Sequence, residues 1–153
     1  MGYIIQIGNA IPLVDEDSDI LEWQIEDFCH KECPIFFGDS SKENYREPSY
    51  SVWDDFCEAV GLEDMFYRHL PDGRTTAKGF IYLADKHLEL VSRRLIEYKG
   101  KMKTTIPPGY QEIHERSYLS IPEYDGYLAR LTWLEFWTKW AISNCETPAL
   151  SIL

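Results

Sequence analysis

The sequence predicts an α+β fold, in which a small amino-terminal antiparallel sheet packs against carboxy-terminal helices. Short stretches rich in β-branched and aromatic residues occur before residue 30. Longer segments with apolar residues at three- and four-residue spacing occur after residue 50. Strands followed by helices in this order are typical of α+β domains. A length of 153 residues is typical of one domain, and a hydrophobic content of 44% is enough for a packed core. With a net charge of −11, we therefore expect a single acidic globular domain over residues 1–153.

The predicted strands lie in the first part of the chain. Residues 2–7 contain three isoleucines and are followed by glycine and proline, so we predict a strand that ends before these two residues. Residues 15–19 are acidic and are predicted to form a turn. Residues 20–28 alternate loosely between apolar and polar side chains, which fits a second strand or a short helix. Residues 38–49 lack periodicity and are predicted to be a loop.

Two short helices are predicted next. Ser51 begins a Ser-x-x-Asp capping box and Gly61 provides a stop, so the first helix lies between them. The second is predicted over residues 62–70, ahead of a Pro-Asp-Gly turn.

Two longer helices follow. A central amphipathic helix ends near Gly100, and its start is open because residues 79–83 fit a strand equally well. The last helix is predicted from a capping box at residues 120–123 to about Asn144, ahead of Pro148.

The negative charge is concentrated in the first half of the chain. Residues 1–72 contain 17 acidic and 4 basic residues (net −13), whereas residues 73–153 contain 9 acidic and 11 basic residues (net +2). The field of the acidic half repels nucleic acid and anionic membrane, so we expect neither as a direct partner. It attracts the basic surface of another protein. The candidate contact acids are Asp15, Glu16, Asp17, Asp19, Glu22, Glu26 and Asp27.

The acidic half of the chain has a second explanation, in which basic residues of the same domain neutralise it. Segment 74–103 contains eight basic and three acidic residues, which would neutralise the acids within the domain. The two explanations differ in what charge reversal does. Reversal of Asp15, Asp17 and Asp19 to lysine slows partner association in the first case and destabilises the monomer in the second.

The last helix carries a second candidate surface. Trp133, Trp137 and Trp140 recur at helical spacing, and the polar strip of this helix is narrow. A helix that is apolar over most of its circumference lies in the core or buries one side in a partner. We favour the core and keep the three tryptophans as candidate partner contacts, because tryptophan is enriched at interface hot spots.

Two patterns resemble metal sites without completing them. Cys29 and Cys33 flank a His-Lys-Glu stretch, but zinc sites usually need a second close pair of ligands. The acids from Asp15 to Glu26 match positions 1, 3, 5 and 12 of a calcium loop, but position 6 is Ile20 instead of glycine. We therefore predict no metal and no other cofactor.

No complete catalytic motif is present either. His69 lies near Asp72 and Cys57 in a grouping that we interpret as a helix-terminal histidine beside a turn. Residues 107–110, Pro-Pro-Gly-Tyr, match a ligand motif of WW-type modules, and we interpret them as a rigid loop. The chain is therefore more consistent with a non-enzyme.

The function hypothesis is a small cytoplasmic inhibitor that covers a basic surface of a partner protein. In size, acidity and lack of catalytic motifs, the chain is similar to phage counter-defence and immunity-type proteins. The cytoplasmic assignment rests on the absence of an export signal and on four sparsely spaced cysteines. The alternative is a small enzyme whose site is assembled from distant acidic and histidine residues. The sequence leaves open whether the chain forms a homo-oligomer.

Overall fold

The computed structural model describes residues 1–14, 16–17, 20–35, 41–98 and 125–153. This part of the chain confirms the α+β class, with an antiparallel sheet packed against helices. In chain order the elements are β1 (Ile5–Val14), β2 (Ile20–Ile25), β3 (Tyr45–Arg46), α1 (Tyr50–Val60), α2 (Glu63–Phe66), β4 (Tyr67–His69), β5 (Thr75–Ala77), β6 (Phe80–Tyr82), α3 (Asp85–Glu97), α4 (Gly126–Asn144) and β7 (Pro148–Ile152).

The main sheet combines strands from both ends of the chain. Its order is β2-β1-β7-β6, and β3 pairs with β1. Residues 5–9 of β1 pair with β7, which in turn pairs with β6. β7 is not predicted from the sequence, because residues 148–152 carry little β-branched or aromatic character. Long-range pairing makes this segment a strand instead.

Strand β1 is longer than predicted and runs through Pro12. Pairing with β7 stops at Asn9, so among the strands that the structure describes only β2 flanks the second half of β1. Pro12 is tolerated there because no described strand pairs with the other side of β1 at this point, so the N–H that proline lacks is not needed for a hydrogen bond. The segment at residues 20–25 is a strand, which settles the strand-or-helix alternative.

The core lies between one face of the sheet and the helices. Ile5, Ile7, Ile81, Leu150 and Ile152 belong to a single buried cluster together with side chains of α1 and α4. Helix α4 buries residues around most of its circumference, as expected of a helix in the interior. The helical members of this cluster include Trp53, Phe56, Leu131, Trp133, Leu134 and Trp137.

The helix ends partly agree with the predictions. Gly61 ends α1 in the left-handed conformation, at φ 74°, as predicted. The cap at the other end is Ser49 instead of Ser51, and its side chain accepts a hydrogen bond from the N–H of Val52. Helix α4 is capped by Asp125, whereas the predicted capping box at 120–123 lies outside the described residues.

The predicted helix over residues 62–70 is wrong beyond Phe66. Strands β4 and β5 form a separate antiparallel hairpin around the turn at residues 71–73. The turn was predicted, but the backbone pairing across it replaces the last part of the expected helix. Residues 80–82 are likewise the strand β6, and α3 begins only at Asp85.

Candidate functional site

The acidic candidates lie along one edge of the main sheet. β2, like β6, is one of the two edge strands in the described sheet order. Glu16 and Asp17 occupy the turn that leads into it, Glu22 lies on it, and Glu26 and Asp27 follow it directly. All five side chains are exposed. We call Glu22, Glu26 and Asp27 the acidic edge. Asp15 and Asp19 lie outside the described residues.

The acidic edge has no cationic partner within the described part of the chain. The ion pairs found there include those of His69 with Asp64, Arg74 with Asp72 and Arg94 with Glu97. The acidic edge instead accepts hydrogen bonds from neutral amides. Gln6 Nε2 donates to Asp27 Oδ1 at 2.8 Å, and Asn9 Nδ2 lies 3.4 Å from Glu26 Oε1. No basic side chain in the described ranges therefore neutralises these carboxylates.

Two of the candidate tryptophans are buried. Trp133 and Trp137 have no exposed surface, which confirms the core interpretation. Trp137 Nε1 donates to Cys33 Sγ at 3.1 Å, and the guanidinium of Arg46 lies 5.3 Å from the ring centre of Trp133. We remove both tryptophans from the candidate surface, because a partner cannot reach them in this structure.

Trp140 is half-buried and connects α4 to the acidic edge. Its ring centre lies 4.5 Å from that of Phe28, at an interplanar angle of 31°. Phe28 follows Asp27 directly and is 42% exposed. Glu26 also contributes, after burial, to a raised pKa of Cys145 at the end of α4. The structure therefore brings Trp140 close to the acids, although the two are far apart in sequence.

A groove of about 430 Å³ runs along α4 beside this contact. Phe136, Trp140 and Pro34 provide apolar surface, and Glu32 and Glu135 add two carboxylates. His30, which packs edge-on against Phe136, completes one wall, and Lys139 is the cation of the lining. Phe28 was not predicted as a site residue, and His30 was considered only as part of the zinc-like pattern. The available signal was their position directly after the acids of the second strand.

The two cysteines of the zinc-like pattern do not face a common site. Cys29 is exposed, whereas Cys33 is buried. Burial raises the pKa of the Cys33 thiol, and the hydrogen bond from Trp137 opposes that shift. In the described residues, no three His, Cys, Asp or Glu side chains are grouped so that they could hold a metal ion.

A second, polar cleft of about 220 Å³ lies between α1 and the β4–β5 hairpin. Asp54 Oδ1 accepts a hydrogen bond from Tyr3 at 3.1 Å and another from Tyr67. Burial raises the pKa of Tyr67, and its hydrogen bond to Asp54 adds to the shift, so the phenol is protonated at neutral pH. Glu58 and His69 also line the cleft.

His69 was interpreted as a helix-terminal histidine beside a turn, but it ends strand β4 instead, and it does not form a cluster with Asp72 and Cys57. His69 lies 3.3 Å from Asp64, and Asp72 instead pairs with Arg74. Cys57 is fully buried, which raises the pKa of its thiol.

No protein-family model, curated protein or solved structure matches the chain. None of the helices in the described ranges has the length and apolar character needed to cross a bilayer. The Pro-Pro-Gly-Tyr motif at 107–110 lies outside those ranges.

Proposed function

We propose that this chain is a small cytoplasmic protein-binding protein that inhibits its partner by covering a basic surface. The observation that carries the proposal is the acidic edge of Glu22, Glu26 and Asp27, which is exposed and has no described cationic partner. Carboxylates at a sheet edge that are not neutralised internally steer association with a surface of opposite charge. From Glu22 to Asp27 the edge extends for about 17 Å if each of the five steps along an extended chain adds about 3.3 Å.

The groove along α4 supplies apolar contacts, which the acidic edge alone does not provide. Charge sets the rate and orientation of encounter, whereas buried apolar contacts retain the partner. Phe136 and Trp140 present such contacts next to Phe28, close to the acidic edge. An apolar anchor with basic neighbours on the partner would match both features. This arrangement suits an antagonist, such as a phage counter-defence or immunity-type protein.

The enzyme alternative has its best location in the cleft around Asp54. There the carboxylate already accepts hydrogen bonds from Tyr3 and Tyr67, and the pKa of both phenols is raised. Asp54 is therefore engaged as an acceptor, and the phenols are poor bases at neutral pH. This arrangement supports catalysis less well than the acidic edge supports binding.

The experiment compares two charge-reversed variants as bait in a lysate of the native cells. One carries Glu22→Lys, Glu26→Lys and Asp27→Lys, and the control carries three reversals on the exposed helical acids Asp55, Glu58 and Glu89. Both variants have the same net charge. We expect the wild type and the control to retain a basic protein that the edge variant loses.

The retained protein is then purified, and its association rate is measured as the salt concentration rises. The rate should fall as the Debye length approaches about 8 Å, with a smaller change in the dissociation rate. Equal retention by the edge and control variants, or an association rate independent of salt, would contradict the proposal.

A further inference from the structure

The outer side of β2 carries backbone groups that no described strand pairs with. Residues 10–13 of β1 pair with Ile25, Gln24, Trp23 and Glu22 in that order. Along an antiparallel strand, alternate residues direct their N–H and C=O groups to the same neighbour. The N–H of Glu26 donates to Asn9 O at 2.9 Å, which fixes the alternation.

The inward-directed residues are therefore Glu22, Gln24 and Glu26, and the outward-directed residues are Trp23 and Ile25. Pro12 agrees with this pattern, because it lies opposite Trp23 and has no N–H to donate. In the described part of the chain, β1 is the sole strand that pairs with β2. The N–H and C=O groups of Trp23 and Ile25 form a short template for another strand.

The side chains of β2 determine which types of residue an added strand would carry on each face. Trp23 lies on the face of the sheet away from the helices, where its ring packs against Phe80 and Tyr82. Glu22 and Gln24 point to the opposite face and are exposed. An added strand would lie about 4.8 Å from β2 and would place its own side chains beside these residues on each face. Apolar residues fit beside Trp23, and basic residues fit beside Glu22.

The net charge of −11 on each chain disfavours a second copy as the occupant. Antiparallel pairing of two β2 edges about Gln24 would place Glu22 of one copy opposite Glu26 of the other. Like charges in directly opposed positions destabilise strand pairing. The same carboxylates favour lysine or arginine on the added strand.

We infer that an extended segment of a partner protein, with alternating basic and apolar residues, adds to β2 as an antiparallel strand. This inference rests on the proposed protein-binding function and specifies the segment that the acidic edge recognises. The apolar residues of that segment exchange N–H and C=O hydrogen bonds with Trp23 and Ile25, because directly opposed residues share a face. Its basic residues lie on the face of Glu22 and direct their backbone groups away from β2.

The test uses a short end-capped peptide in which lysine and valine alternate, together with two N-methylated forms of it. N-methylation of the valines removes the N–H groups that would bond to β2. N-methylation of the lysines removes N–H groups that would point outward, so it is the matched control with the same charge. We expect the valine-methylated peptide to bind about tenfold more weakly than the lysine-methylated peptide, as expected for the loss of one or two backbone hydrogen bonds.

Amide hydrogen exchange gives a readout at individual residues. The unmodified peptide should slow exchange of the Trp23 and Ile25 amides and leave that of Gln24 unchanged, because Gln24 already bonds to β1. The inference is overturned if both methylated peptides bind equally, if Trp23 and Ile25 gain no protection, or if the unmodified peptide does not bind. Equal binding that is lost on reversal of Glu22 and Glu26 would leave the charge-based proposal intact. Failure of that proposal itself is measured separately, by the lysate comparison.

Discussion

The two faces of the main sheet are buried in different ways. On the face toward the helices, large aliphatic residues such as Ile7 and Leu150 pack into the cluster that contains Trp133 and Trp137. On the other face, the central strands carry small residues, and two aromatic rings from the flanking strands cover them. The ring centres of Trp23 and Phe80 lie 6.3 Å apart at an interplanar angle of 27°.

Small residues on the central strands leave room for the two aromatic rings on the face away from the helices. Ala10 and Ala149 are buried beneath Trp23 and Phe80. Gly8 lies opposite Ala149, and a Cβ atom there would come within 2.8 Å of Asn44 Nδ2. One face therefore depends on close packing of large side chains, and the other on two partly exposed rings. The first should be far more sensitive to truncation, because loss of buried volume leaves a cavity.

The largest expected effect is that of Leu150→Ala, on the helix-covered face. Leu150 is fully buried on a central strand, so its truncation should lower the free energy of unfolding by about 3 kcal/mol. Leu153→Ala is the matched control, because Leu153 is 73% exposed and should change stability by less than about 0.5 kcal/mol. Chemical denaturation of both variants makes the measurement. Similar losses of unfolding free energy in the two variants would contradict the burial of Leu150 in the core.

A somewhat smaller loss is expected for Asn44→Ala, at the point where β2 diverges from β1. Asn44 Nδ2 donates to the carbonyls of Ile7 and Glu26, and its Oδ1 accepts from the N–H of Phe28. Truncation leaves these backbone groups without partners in a buried site and should cost about 2 kcal/mol.

Asn144→Ala is the comparison for this variant. Its exposed side chain donates a single hydrogen bond, to Trp140 O, so we expect a loss below about 1 kcal/mol. Thermal unfolding of the two variants under the same conditions measures the difference. If Asn44→Ala were no worse than Asn144→Ala, the hydrogen bonds of Asn44 would not support the strand junction.

The open face should respond more weakly. Trp23→Ala removes a half-buried ring and its contacts with Phe80 and Tyr82, for an expected loss of about 1–2 kcal/mol. Trp23→Phe keeps an aromatic ring over Ala10 and should recover most of this loss. A loss as large as that of Leu150→Ala would mean that the two faces are equally sensitive to truncation.

The helix-covered face was easier to anticipate from the sequence than the open face. The periodicity of α4 identified Trp133 and Trp137 as core residues, because helical spacing determines which side chains share a face. The end of α1 at Gly61 was likewise a local signal. β7 and the β4–β5 hairpin depend on pairing with distant or adjacent segments, which local propensity does not encode.

The candidate site, like the fold, could be predicted from local sequence only in part. Composition and position identified Glu22, Glu26 and Asp27 as exposed acids, and the structure places them along one sheet edge. The ring contact between Phe28 and Trp140 joins residues far apart in sequence. The outward direction of the Trp23 and Ile25 backbone groups depends on the strand register, which a single sequence does not determine.

The smallest effect on stability is expected at the acidic edge, where the triple variant Glu22→Lys, Glu26→Lys, Asp27→Lys should change the free energy of unfolding by at most about 0.5 kcal/mol. These side chains are exposed and form no ion pair in the described residues, so reversal breaks no attractive charge contact there. Chemical denaturation at low and high salt measures the change. A loss above about 1 kcal/mol that disappears in high salt would show that basic residues of this chain neutralise the edge. The charge would then serve the stability of the fold, and an external partner would no longer be needed to explain it.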